Sequence, residues 1–196
     1  MNLPNKITIT RIILVFVVLL LANIYEKFSQ PYAYSIQIIA VILTVIAAYT
    51  DLLDGQIARK YGLVSNFGKL MDPLADKIFV MTIFIIFVDT INPVTGQPML
   101  PGWVVIVVLA REFLVTGLRS LAANKGEIIA ADKYGKWKTA SQMIFFCFGG
   151  FIWLNILPLK GAVEVIWVIG MIFVALITLF SGLNYFIKYK HLYLYD

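Results

Sequence analysis

Six long apolar runs divide this chain, at roughly 7–25, 33–58, 70–92, 100–123, 135–157 and 163–187. Each reaches the roughly 20 residues that a helix needs to cross a hydrocarbon core about 30 Å thick. The links between them are short. Of the 196 residues, 61% are hydrophobic and only 14% charged, and the mean hydropathy is +0.88, which no soluble domain matches. The runs therefore predict an all-α fold, an integral membrane bundle of six transmembrane helices. It forms a single domain over 1–196, with a short N-terminal juxtamembrane segment. No linker, low-complexity tract or internal repeat interrupts it. The first run is too long and too poorly flanked for a cleaved signal peptide.

Charge placement predicts orientation. The first residues carry Lys6 and Arg11, the second link Arg59, Lys60 and Lys69, and the tail Lys188 and Lys190. The fourth link carries Arg119, Lys125, Lys133, Lys136 and Lys138, whereas the other three links share only Lys27 and Lys160. The positive-inside rule places both termini and the second and fourth links in the cytoplasm. The net charge of +5 is mostly this asymmetry. A nucleic-acid partner is excluded, because no soluble face exists to carry a basic patch. The excess suits anionic lipid or an anionic substrate instead.

Cys147 lies inside an apolar run and reads as a small buried apolar residue. The one histidine, His191, is in the polar tail, so a histidine-based metal or catalytic site is not expected. Trp103 reads as an interfacial anchor, and Gly149-Gly150 as helix packing.

Against this oily background one acidic window stands out: Asp51-Leu-Leu-Asp54-Gly55, Ala58-Arg59, then Gly68, Asp72 and Asp76. The pairs Asp51/Asp54 and Asp72/Asp76 are three and four residues apart, so each pair shares one helix face. Asp54 lies about 6 Å along a helix from Ala58, which puts the acids just beneath the cytoplasmic surface. An aspartate at the centre of a membrane helix costs roughly 2.5–3.5 kcal/mol, and like charges close together add repulsion. One or two divalent cations relieve both, and an all-carboxylate set selects hard metals such as Mg²⁺, Mn²⁺ or Ca²⁺. Gly55 beside Asp54 allows close approach of a ligand, and Gly68 opens space one turn before Asp72. Structural readings compete: Asp72-Pro73 as a helix start, Asp54-Gly55 as a turn, Asp51 with Arg59 as a salt bridge. They do not account for all eight positions together, and intramembrane ionisable groups are functional by default.

The pattern Asp51-x-x-Asp54-Gly55-x-x-Ala58-Arg59, eight residues, Gly68-x-x-x-Asp72-x-x-x-Asp76 resembles the full signature of the CDP-alcohol phosphotransferases. The six-run layout is also similar to that family. The resemblance implies a six-helix membrane bundle, a homodimer, with its site facing the cytoplasm from the cell membrane. It implies two Mg²⁺ or Mn²⁺ ions held by Asp51, Asp54, Asp72 and Asp76, with Asp76 also the general base. Gly55, Arg59 and Ser65 match positions that contact the CDP part of the lipid donor, and Asn5, Thr8 and Gly68 are assigned to the same CDP-lipid site. An alcohol oxygen attacks the phosphorus nearer the lipid, and CMP leaves.

The signature does not name the alcohol. Arg11, Arg111, Arg119, Lys136 and Lys138 form a positive set suited to a phosphorylated acceptor rather than choline or free inositol. For Lys125 and Lys133 positive-inside topology with snorkelling side chains is the better reading. The opening Pro4-Asn5…Thr8…Arg11, Arg111-Glu112 and Gly135-Lys136-x-Lys138-Thr139 resemble the phosphatidylglycerophosphate-forming branch of the family. That branch joins CDP-diacylglycerol to sn-glycerol 3-phosphate. Rival acceptors are inositol phosphate, serine and phosphatidylglycerol. A cation transporter would instead place acids at the midplane of an inverted repeat.

Overall fold

The computed structural model describes residues 2–62, 65–127, 129 and 133–194, without the side chains of Leu52, Asp54, Ala58, Arg59 and Lys69. The expectations for the Asp54 and Arg59 side chains lie outside those described residues. Six long helices follow the six apolar runs: α1 (Leu3–Ile24), α2 (Tyr32–Lys60), α3 (Asn66–Asp89), α4 (Gly102–Asn124), α5 (Lys133–Trp153) and α6 (Ala162–Lys188). A short α7 (His191–Leu194) ends the chain, and the described residues hold one isolated β-bridge, Ile91 with Pro98, and no strand.

Among the described residues, three stretches are long and apolar enough to cross a membrane: Leu3–Lys27, Tyr32–Ile57 and Ala162–Lys188. Helices α3, α4 and α5 have the length, at least about 30 Å at 1.5 Å per residue, but carry charges within their apolar stretches. Large apolar side chains such as Phe16, Leu20, Val45, Ile106, Ile144 and Leu176 point outward. An outward apolar surface of this extent suits lipid rather than water.

The chain forms two compact units, Met1–Ile86 and Phe87–Asp196. In the first, α1 buries Pro4, Thr8, Arg11, Val15 and Val18, at alternating steps of four and three residues. Helix α2 buries Ala33, Gln37, Ala40 and Ala47 at the same rhythm. That period is the seam of a helix pair, and alanine every seventh residue lets the backbones approach closely. Helix α3 adds Ala75, Phe79 and Ile83, and a small cavity lined by Val15, Val18, Thr44, Ala47, Phe79, Thr82 and Ile83 marks where the three helices meet.

Two structural readings of the acidic window fail here. Asp72 is not a helix N-cap: α3 begins six residues earlier at Asn66, and Pro73 lies inside it. The cap is Ser65, whose Oγ accepts the backbone N–H of Gly68 at 3.0 Å, satisfying one of the orphan donors of the first turn. Asp54-Gly55 is not a turn either, because both residues lie within α2.

In the second unit α6 packs against both α4 and α5. The buried stripes are Val104, Val108, Arg111, Val115, Leu118 and Ala122 on α4 and Trp167, Met171, Val174, Thr178, Ser181 and Tyr185 on α6. On α5 the stripe is Lys138, Gln142, Phe145, Gly149 and Ile152. A Cβ on Gly149 would overlap the Phe87 ring and come within 2.9 Å of Trp167, whereas one on Gly150 would meet nothing. Of the two glycines only Gly149 serves packing. Trp167 stacks on Phe145 with centroids 4.1 Å apart and donates its indole N–H to the Met99 carbonyl at 2.6 Å. Helix α5 stops at Trp153, short of its apolar run, and Asn155 takes a left-handed conformation (φ 55°) just beyond it, a tolerated helix-ending residue.

Cys147 corrects its expectation: it is exposed, on the outward side of α5. In a membrane helix an apolar environment is available outside the bundle as well as inside, so apolar character alone does not place a residue in the core.

Candidate active site

The polar members of the α1 stripe define one end of the first unit. Asn5, Thr8 and Arg11 are all buried. The Thr8 hydroxyl lies 2.9 Å from Asp72 Oδ1 and 3.1 Å from its own helix's Pro4 carbonyl. It has one proton to give, and the charged acceptor makes the stronger bond. Arg11 Nη1 forms an ion pair with Asp51 Oδ1. The hydroxyl of Ser65 donates to Asn5 Oδ1 at 2.8 Å while its oxygen caps α3. The beginning of α1 is thus tied to the end of α2 and the start of α3.

Gly68 sits inside this arrangement. A Cβ there would lie 3.2 Å from Asn5 Oδ1, 3.3 Å from Ser65 Oγ and 3.8 Å from Asp72 Oδ2. The glycine therefore allows a close approach of polar oxygens on that face, which a side chain would crowd. Asp51 and Asp72 are partly buried and Asp76, one turn beyond Asp72, is exposed. Gly55 is partly buried on α2. Among the described residues no three acidic, histidine or cysteine side chains form a metal-binding group, and the Asp54 side chain is not one of those described. The donor set that the sequence offers is carboxylate oxygen throughout, which fits a hard divalent cation. Thr8 and Arg11 donate to Asp72 and Asp51, and carboxylates that ligate metals commonly carry donors of this kind.

The second unit holds a cationic network. Arg111 is buried, donating Nη1 to Glu112 Oε1 at 3.1 Å and Nη2 to Ser181 Oγ at 2.8 Å. Lys138, also buried, gives its ammonium to the same Glu112 oxygen. Two cations therefore share one carboxylate among α4, α5 and α6. Gly182 makes room for them: a Cβ there would stand 3.0 Å from Arg111 Cγ. Arg119 Nη2 donates to the Tyr185 hydroxyl at 3.1 Å. The guanidinium groups of Arg111 and Arg119 lie 5.6 and 5.5 Å from the centre of the buried Tyr185 ring, within cation–π range. Lys136 is exposed.

The structure thus brings Asn5, Thr8, Ser65, Gly68 and Asp72 together, and Arg11 with Asp51. In the second unit it brings together Arg111, Lys138 and Glu112. Arg11, expected at an acceptor phosphate, pairs with Asp51. Lys125 donates to the Leu192 carbonyl at 3.0 Å, and His191 pairs with Glu127 at 3.1 Å, so both fasten the tail. Ser181 and Tyr185 were missed. Their signal was spacing: with Thr178 they put three polar groups on one stripe of the most hydrophobic helix.

Comparison with known proteins follows the same lines. The family model described as CDP-alcohol phosphatidyltransferase matches residues 1–179. A CDP-diacylglycerol–glycerol-3-phosphate 3-phosphatidyltransferase of Bacillus subtilis (strain 168) is 44% identical over 152 residues, 73% of each chain. A protein of the same name from Rickettsia typhi is 34% identical over 191 residues, covering 94% of this chain and 95% of that one. Another, from Haemophilus influenzae, is 32% identical over 188 residues, covering 94% and 91%.

Proposed function

The chain belongs to the CDP-alcohol phosphatidyltransferase family, and on that premise we propose its reaction and the part each residue plays in it. It transfers the phosphatidyl group of CDP-diacylglycerol to sn-glycerol 3-phosphate, giving phosphatidylglycerophosphate and CMP. One observation carries this reading above the others. Similarity to relatives named for that activity runs along most of the chain, and every position of the acidic signature is present.

In the proposed mechanism a hydroxyl oxygen of glycerol 3-phosphate attacks the phosphorus nearer the lipid. The bond from that phosphorus to the CMP oxygen breaks, and Asp76 takes the hydroxyl proton. Its exposure beside Asp72 suits a group that must meet a soluble acceptor. Members of the family generally depend on divalent metal. Two Mg²⁺ or Mn²⁺ ions would be held by Asp51, Asp54, Asp72 and Asp76, and when bound supply neutralisation of the pyrophosphate and of the leaving CMP. Gly55, Arg59, Ser65 and Gly68 receive the CDP portion, with Gly68 giving it room. Arg111, Arg119, Lys136 and Lys138 take the acceptor's phosphate, for which guanidinium and ammonium donors are well suited. Glu112 must then share its two cations with an incoming anion.

The helices place this chemistry in a membrane. We read six spans, with both termini and the 59–69 and 119–138 links on the cytoplasmic side, in a homodimer of single-domain chains in the cell membrane. The donor then arrives from the bilayer and the acceptor from the cytosol.

The test is an acceptor panel. Purified protein with CDP-diacylglycerol in mixed micelles and Mg²⁺ or Mn²⁺ releases CMP when glycerol 3-phosphate is added. Release with inositol phosphate, serine or phosphatidylglycerol but not with glycerol 3-phosphate would overturn the acceptor assignment.

A further inference from the structure

We infer that Thr8 and Arg11 are positioning residues for the carboxylates of Asp72 and Asp51, so that α1 frames the acidic site from outside rather than contacting substrate. This rests on the proposed reading of those two aspartates as metal ligands. The first argument is access. Thr8 and Arg11 are each only 1% exposed, whereas the Asp51 side chain is 44% exposed. A substrate reaches the carboxylate far more readily than the groups behind it. The second is direction. Among the described contacts, Thr8 meets Oδ1 of Asp72 and Arg11 meets Oδ1 of Asp51. Fixing one oxygen by a donor sets the rotation of the carboxylate plane, and with it the direction of the other oxygen.

The third argument is electrostatic. Drawing a buried guanidinium away from its carboxylate is strongly unfavourable, so an anionic substrate does not readily compete Arg11 away from Asp51. The permanent charge of Arg11 also offsets repulsion within the acidic cluster. Asn5 completes the frame. By accepting from the Ser65 hydroxyl it ties α1 to the start of α3, and this holds Thr8 in register with Asp72.

The experiment is a Mn²⁺ titration of the purified full-length protein, read by electron paramagnetic resonance of free Mn²⁺, alongside the KM for CDP-diacylglycerol. Thr8→Val keeps shape and charge but loses the donor. It should weaken Mn²⁺ binding by about 10–100-fold, the usual effect of removing an outer donor from a ligand. Thr8→Ser should restore affinity to within about threefold of wild type, since it restores the hydroxyl. Arg11→Lys, which keeps charge but not the planar fork, should weaken binding about tenfold and stands in if Thr8→Val fails to fold. Mn²⁺ binding unchanged in Thr8→Val, with a raised KM for the lipid donor, overturns the inference and makes Thr8 a substrate contact. Wild-type protein with no saturable Mn²⁺ site overturns it too. The binding ratio is read without turnover, so failure of the proposed reaction shows separately in the acceptor panel.

Discussion

The two units use opposite charge arithmetic for the same structural problem. In the first, carboxylates are fastened by donors from behind, a neutral hydroxyl on Asp72 and one guanidinium on Asp51. In the second, cations are fastened by a single carboxylate, with Glu112 holding both Arg111 and Lys138. Among the described contacts neither network is charge-balanced: Asp51 and Asp72 outnumber the one guanidinium that meets them, while Arg111 and Lys138 outnumber Glu112. Full neutralisation would make each network more stable and leave it nothing to offer a ligand. Under-compensation leaves an excess of the sign each proposed ligand requires: negative for divalent cations, positive for a phosphomonoester. A buried charge pair is weak ground for stability but good ground for a preset arrangement.

The largest effect should come from the acidic side. Asp76→Asn removes the proposed base while preserving shape, and kcat for CMP release should fall by about 10²–10⁴-fold. The helical circular dichroism should not change, since the side chain is exposed. Turnover within a few-fold of wild type would remove Asp76 from the role of base and break the contrast between a reactive unit and a binding unit.

The cationic side should answer with stability rather than rate. Glu112→Ala leaves Arg111 and Lys138 buried without their shared carboxylate, a loss of about 3–5 kcal/mol. Thermal unfolding in detergent should show it as a large drop in Tm. A Tm close to wild type would mean that the cations find water or another acceptor, and that the second unit is not organised around Glu112.

How far these networks could be read beforehand differs between the units for a physical reason. Helix extents were legible because an apolar run of membrane length has few alternatives, and all six helices lie on the predicted runs. The acidic site was legible because charge in oil is rare: Asp51 and Asp72 stood out, and so did Asn5, Thr8 and Arg11 at helical spacing. What each touches was not. Arg11 pairs with a residue forty positions away, and one face of a helix does not say which neighbour it meets. The start of α3 was misjudged because Phe67 is the one apolar side chain among Asn66, Phe67, Gly68 and Lys69, while Asp72-Pro73 imitates a helix beginning. Tyr185 and Ser181 escaped because hydroxyls are ordinary in membrane helices, and their bonds to the arginines on α4 are long-range.

The smallest effects test whether both units need open space in the same way. Each network is bordered by a glycine, Gly68 beside Asn5 and Ser65, and Gly182 beside Arg111. Alanine in a helix gains up to about 1 kcal/mol over glycine, which offsets part of the crowding in either place. At Gly182 the new methyl would meet Arg111 Cγ at 3.0 Å, in the middle of a side chain whose far end is bonded to Ser181 and Glu112. That stem cannot swing aside freely, so Gly182→Ala should cost about 1–2 kcal/mol net, as overpacking does. It should also raise the KM for glycerol 3-phosphate. At Gly68 the neighbours are a hydroxyl and an amide oxygen at 3.3 and 3.2 Å, which can yield by a few tenths of an ångström. Gly68→Ala should therefore leave the Tm within about 2 °C of wild type, because the helix gain and the crowding nearly cancel. Its KM for CDP-diacylglycerol should rise a few-fold, because the methyl takes space proposed for the CDP portion. Equal losses of stability at the two positions would show that Gly68 is a packing glycine like Gly182, and that the bare face beside Asp72 is not kept open for a ligand.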